Sequence, residues 1–291
     1  MCSCKTCLRI ACCSALLNAL LLLPPASEAM EFEASTAPAN RYVVKVYPHF
    51  FYTSAYFTGE GKASNLRGTS GLLHFRLPVN VQYGITGAFS IGGVLPIDWT
   101  YREEDDSPET VDRLTIHECW VTMQYRCLTC PFIAAASLRT KIPLAAKEPW
   151  EDGLRIGDDQ IDLFPVAHFD YFSSTHYWYV QLAMGYKYRF KKGEVKPHDE
   201  FRFYARGGYE LFPDLRMRFY LYADLTQFMN GEYPEDEPEF YEKDGDLHTF
   251  GYGVSLWPRP TFRVDITTGG DWSGTNRYRG MHWIIGFTKI L

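Results

Sequence analysis

The chain of 291 residues carries 35 acidic and 29 basic side chains, a formal net charge of −6, which gives no support to nucleic-acid binding as its main role. Aromatic residues make up 16% of it, with 20 Tyr, 20 Phe and 7 Trp, more than a soluble core of this size calls for. After residue 23 no apolar run reaches the roughly 18 residues a spanning helix needs, which argues against a helical membrane protein.

The N-terminus reads as an export signal. Lys5 and Arg9 precede an apolar stretch at 15–23, and Ser27-Glu28-Ala29 forms a small-x-small cleavage site. Residues 1–29 are therefore expected to be removed, leaving a short tail at 30–40 and one domain at 41–291. Five of the eight cysteines (Cys2, Cys4, Cys7, Cys12 and Cys13) belong to that leader.

From residue 41 onward, long Tyr-, Phe-, Val- and Leu-rich stretches are joined by connections that are short, then long, in turn. The stretches are 41–57, 66–81, 84–101, 112–126, 131–145, 157–172, 177–190, 200–212, 215–229, 246–257, 261–270 and 281–291. The short connections are Gln82-Tyr83, Cys127-Leu128-Thr129-Cys130, Ser174-Thr175, Pro213-Asp214 and Pro258-Arg259-Pro260. The long ones are charged, as at 102–106 and 230–245. Tight periplasmic turns and long solvated extracellular loops produce this rhythm in an outer-membrane barrel, and an even strand count returns both termini to the periplasmic side. The fold expected is all-β, a transmembrane antiparallel barrel of about twelve strands. Its location follows, the bacterial outer membrane after export through a cleaved signal peptide. The partners expected are outer-membrane lipid and lipopolysaccharide, the barrel-assembly machinery and a small solute.

Alternation of side chains sorts the two faces. In stretch 177–190, Trp178, Val180, Leu182, Met184, Tyr186, Tyr188 and Phe190 share one apolar face. In 215–229, Leu215, Met217, Phe219, Leu221, Ala223 and Leu225 oppose Arg216, Arg218, Tyr220, Tyr222, Asp224 and Thr226. A soluble sandwich would alternate too, but soluble strands average about five or six residues and these exceed about ten. Stretch 112–126 is ambiguous, because Leu114, Ile116 and Trp120 compete with Val121, Met123 and Tyr125 for the outer face. The last stretch, with Trp283, Ile285, Phe287 and Leu291 on one face, resembles the C-terminal recognition strand of outer-membrane proteins.

With apolar faces outward, the inner wall collects Lys45, Arg76, Arg139, Lys141, Lys187, Arg189, Arg202, Arg206, Arg216, Arg218 and Arg263. Facing them are Asp98, Glu118, Asp162, Asp170, Glu210, Asp224 and Asp265. Two readings stand: a conduit whose positive excess favours anionic or hydrogen-bonding solutes, or a barrel whose charges pair and fill it. The stripe Lys187, Arg189, Arg202, Arg206, Arg216 and Arg218, with Tyr220, Tyr222 and Asp224, is the candidate pore lining. No cofactor or metal is called for. Cys127 and Cys130 flank a tight turn in an exported protein, where a disulfide is the expected state. A lipid hydrolase is the enzymatic alternative. None of the eight histidines has Ser two residues on, and His168 with Asp170 is expected to form an inward pair lacking a nearby serine. The chain is expected not to be an enzyme.

Four segments, Lys141-Ile142-Pro143, Gly157-Asp158 to Asp162, Gly185-Tyr186-Lys187-Tyr188-Arg189 and Gly208-Tyr209-Glu210-Leu211, resemble the outer-membrane transporter-like family labelled "MetA-pathway of phenol degradation". The resemblance spans residues 131–225 and implies a barrel for uptake of small, often aromatic or hydrophobic compounds. It supplies no catalytic residue.

Overall fold

The computed structural model describes residues 34–58, 60–65, 69–104, 110–116, 118–129, 131–144, 160–173, 177–191, 196, 198–212, 216–229, 246–275 and 277–291. Leader residues 1–29, Cys130, the turn at 174–176 and the acidic stretch 232–244 lie outside them. The described chain is a closed antiparallel barrel of twelve staves. Strands β1 (Tyr42–Val46) and β2 (His49–Phe57) make the first stave, broken at Pro48, which has no N–H to give a ladder. The second is β4 (Thr69–Gly84), prolonged beyond the wall by β3 (Ala63–Asn65). There follow β5 (Phe89–Glu104), then β6 (Thr110–Thr115) with β7 (Glu118–Leu128) as one stave, then β8 (Phe132–Pro143), β9 (Asp162–Phe172) and β10 (Trp178–Arg189). The wall is completed by β11 (Asp199–Phe212), β12 (Met217–Met229), β13 (Asp246–Arg259), β14 (Phe262–Gly274) and β15 (Arg277–Ile290). Closure comes from β15 pairing with both β1 and β2, Val46 opposite Phe287 and His49 opposite Ile284.

The outward face is apolar and bare, as a wall in hydrocarbon requires: Met184 is 52% exposed and Leu221 60%. Their strand neighbours point into the barrel and are buried, including Tyr179, Gln181, Tyr220 and Asp224. The core therefore lies inside the barrel, a cluster of Phe164, Val166, Tyr179, Ala183, Tyr204, Tyr220 and Tyr222.

The competition in stretch 112–126 is resolved by a slip. β5 pairs with β6 as Trp99 opposite Leu114, and with β7 as Val94 opposite Trp120, which displaces the register by one residue between them. One extra residue inverts the facing of everything beyond it. Leu114 and Met123 thus both face outward, while Glu118 and Trp120 turn in. One connection departs from the expected alternation: β14 and β15 run on to Gly274 and from Arg277, so the connection foreseen as long, at 271–280, is only 275–276. Aromatic and β-branched residues at 266–284 carry both strands through the stretch read as loop.

The N-terminal tail does not hang free. Asn40 N–H donates to Gly84 O at 2.7 Å, Thr36 Oγ1 to Gly87 O at 3.1 Å, and Ala34 N–H to Asp170 Oδ2 at 3.2 Å. Residues 34–40 therefore run from the β4–β5 turn to the inner face of β9, at the barrel end with short turns.

Candidate functional site: the lumen

Two levels of polar side chains fill the described lumen. Toward the long-loop end lies a girdle of alternating charge. Arg76 reaches Glu118 Oε1 at 2.7 Å and Asp98 at 3.6 Å, and His74 Nε2 meets Asp98 at 3.0 Å. Lys141 pairs with Asp162 at 2.9 Å, and Arg189 bridges Asp162 to Glu200, which Lys187 also holds at 2.7 Å. Arg202 makes a two-point contact with Asp224, its Nε at 2.9 Å from Oδ1 and its Nη2 on Oδ2. The ring continues through Asp271, which accepts from Thr249 Oγ1 at 2.7 Å and lies 3.0 Å from His282 Nε2; His282 Nδ1 in turn lies 3.1 Å from His49 Nε2. Sequence separations in this ring reach 233 residues, so only closure of the barrel assembles it.

Toward the short-turn end the lumen holds a tyrosine–arginine nest. The Arg206 guanidinium lies 3.6 Å from the Tyr220 ring centroid and 5.7 Å from that of Tyr179, donates to Ser255 Oγ at 2.9 Å, and sits 3.8 Å from Asp265. Asp265 is bonded by Ser255 and by Arg263 at 2.7 Å. Tyr204 and Tyr222 stack at 6.1 Å, and Tyr220 shares a hydrogen bond with Thr267. Arg218 lies 4.7 Å from the Trp257 ring and 3.3 Å from Glu210 Oε2. Desolvated cations over aromatic faces and against carboxylates are held firmly, because no water competes for them.

Eight of the nine residues in the candidate stripe face the lumen: Lys187, Arg189, Arg202, Arg206, Arg218, Tyr220, Tyr222 and Asp224. Arg216 does not. It stands exposed in the turn ahead of β12 at φ 47°, its carbonyl accepting from Trp257 N–H, because the turn needs a left-handed residue there. The expected positive excess shrinks as well. Arg216 leaves the wall, while Glu200, on the same parity as Arg202 and Arg206, and Asp271, just past the end of stretch 261–270, join it. Every other member of the stripe that carries a cation has a carboxylate within reach.

A serine expected to be absent is present. Ser137 Oγ on β8 lies 2.8 Å from His168 Nε2 on β9, since Ser137 is opposite Val166 in register and so adjacent to His168 across the ladder. Both are buried on the lumen side, away from the lipid face. Asp170, two residues on, accepts from Gln181 Nε2 at 3.1 Å and from the tail at Ala34. Cys127 carries a free, exposed thiol at the end of β7, and its expected partner Cys130 is outside the described residues.

No protein-family model matches the chain, and no curated protein matches it. Among solved structures, the COG4313 outer membrane channel from Pseudomonas putida F1 superposes with a TM-score of 0.73 at 13% identity, covering 89% of this chain and 98% of that one. The β domain of the Bordetella autotransporter BrkA gives 0.50 at 12% identity over 87% of this chain and 100% of the other. The CymD monoaromatic hydrocarbon channel gives 0.47 at 13% identity over 94% and 98%. At these identities the superposition at 0.73 shows the fold alone: this chain has the architecture of an outer-membrane barrel, here of twelve staves.

Proposed function

We propose that the chain is an outer-membrane channel for a small hydrogen-bonding solute, held closed in the conformation described here. The short-turn end, with both termini, faces the periplasm, and the long-loop end faces outward. The observation that carries the reading is the tail: a barrel that only filled its own lumen would have no use for residues 34–40 laid across one mouth and bonded to Asp170. The resemblance of residues 131–225 to the transporter-like family, and the description of the Pseudomonas relative as an outer membrane channel, support it. Because carboxylates accompany the lumenal cations, ionic selectivity is expected to be weak, not strongly anionic.

A second reading, a permanently filled barrel acting as a binding platform, draws on the nest: Arg206 is 4% exposed and Asp265 not at all. Planar-bilayer conductance separates the two. The intact protein is expected to show small, rare openings. Deleting residues 34–39, or substituting Asp170→Ala, is expected to raise the open probability or the conductance several-fold. If both variants stay as silent as the intact protein, the channel reading fails and the filled barrel stands.

A further inference from the structure

On the outer surface near the long-loop end, the wall is dented. A groove of about 750 Å3 is lined by Tyr52, Phe250, Trp272, Arg279 and Met281, with Gly270 and Gly280 in its floor. Its volume falls within the roughly 300–1,000 Å3 of sites that hold one small organic group. The register explains the dent. Phe250 pairs with Gly270, Gly270 with Met281, and Met281 with Tyr52, so one row of four strands carries large outward side chains with the second missing.

Two bulges meet at the same place. The β13–β14 register shifts between His248 and Thr249, leaving Trp272 without a partner, and the β15–β2 register shifts between Arg279 and Met281. A bulge in a membrane wall strands backbone groups where no water can satisfy them. Here lumenal side chains satisfy them from behind. Asp271 Oδ2 accepts from Gly280 N–H at 2.9 Å, and Thr53 Oγ1 bonds Arg279 O at 2.6 Å while accepting from Ala55 N–H at 3.0 Å. Both are buried, Thr53 at 2% and Asp271 at 6%. The dent is thus maintained by dedicated groups. Trp272, 72% exposed and edge-on to Phe250 at 5.6 Å, forms one lip, and the exposed Arg279 stands at the rim two residues from the start of β15.

We propose that this groove binds a phosphorylated, multiply acylated lipid of the outer leaflet, one acyl chain lying between Phe250 and Met281 over Gly270 and a phosphate resting on Arg279. A membrane-facing apolar slot is filled by lipid, and a cation at the headgroup level of an outer leaflet meets phosphate. The proposal rests on the outer-membrane orientation given above, and not on whether the lumen conducts.

The test is native mass spectrometry of the full-length protein in detergent, titrated with lipid A and, separately, with the same lipid dephosphorylated. Retention of one lipid A is expected, weakened roughly fivefold by Arg279→Ala and by dephosphorylation, as the loss of one surface charge contact predicts. Gly270→Leu, which points its side chain into the open slot, is expected to abolish retention while the heat-modifiable gel shift of a folded barrel persists. Unchanged retention in Gly270→Leu overturns the site. Equal binding of the dephosphorylated lipid overturns the role of Arg279. Displacement of the lipid by millimolar inorganic phosphate would assign Arg279 to free anions and overturn the proposal, as would retention of toluene, an aromatic hydrocarbon, with exclusion of lipid A. Since the readout is binding in detergent, a silent bilayer recording leaves it untouched.

Discussion

At the scale of single residues, the lumen is built by close approach. Tyr222 on β12 reaches across β13 to β14, and a Cβ added at Gly251 or Gly269 would stand 2.2 or 2.0 Å from its hydroxyl oxygen. Gly269→Ala is therefore expected to destabilise the barrel by about 1–3 kcal/mol in urea unfolding from detergent micelles. Tyr222→Phe in the same chain should recover part of that, since it removes the atom in conflict. Arg206 is bound differently, by charge and ring face together. Arg206→Ala leaves Asp265 with Arg263 and Ser255 but without its second cation, and a loss of about 3–5 kcal/mol is expected, the size seen when one partner of a buried pair is removed. Arg206→Lys is expected to recover little, because an ammonium cannot lie flat on Tyr220 while bonding Ser255.

At the scale of strands, facing decides what a substitution does. Leu221 and Tyr222 are adjacent on β12, yet one meets lipid and the other the lumen. Leu221→Arg is expected to cost about 2–4 kcal/mol when unfolding is followed from phospholipid bilayers, if its depth is near the midplane. Met123→Arg should cost a similar amount. That result depends on the one-residue slip between β6 and β7, because without it Met123 would have faced inward and tolerated the charge. The slip itself is invisible to alternation, since a period-2 pattern interrupted by one residue reads as two competing patterns. The extended β14–β15 hairpin was hidden for a related reason: Gly274 and Gly280 helped residues 271–280 read as loop, although Gly280 lies in β15 where the Phe51 ring crosses it, leaving no room for a side chain.

At the scale of the whole molecule, the strand count, the outward faces and the end at which the termini lie were legible along the chain. Each depends on local information, the period of the side chains and the length of the connections, and hydrocarbon outside the barrel punishes any departure from it. Most lumenal members of the candidate stripe could be placed the same way, since facing follows from parity. Partnership could not. His49 and His282, Arg206 and Asp265, and the tail with Asp170 come from segments distant in sequence and are brought together by the curvature and closure of the barrel, while Ser137 and His168 meet through the register of the consecutive strands β8 and β9. The balance of charge in the lumen was decided there too, once Arg216 turned out into its tight turn and β14 ran on far enough to carry Asp271 inward. Outside the β6–β7 slip and the tight turn at Arg216, the sequence by itself determined which face a residue presents; the tertiary structure alone decided what that face meets, because a side chain's direction is set by its neighbours along the chain and its contacts by neighbours across the barrel.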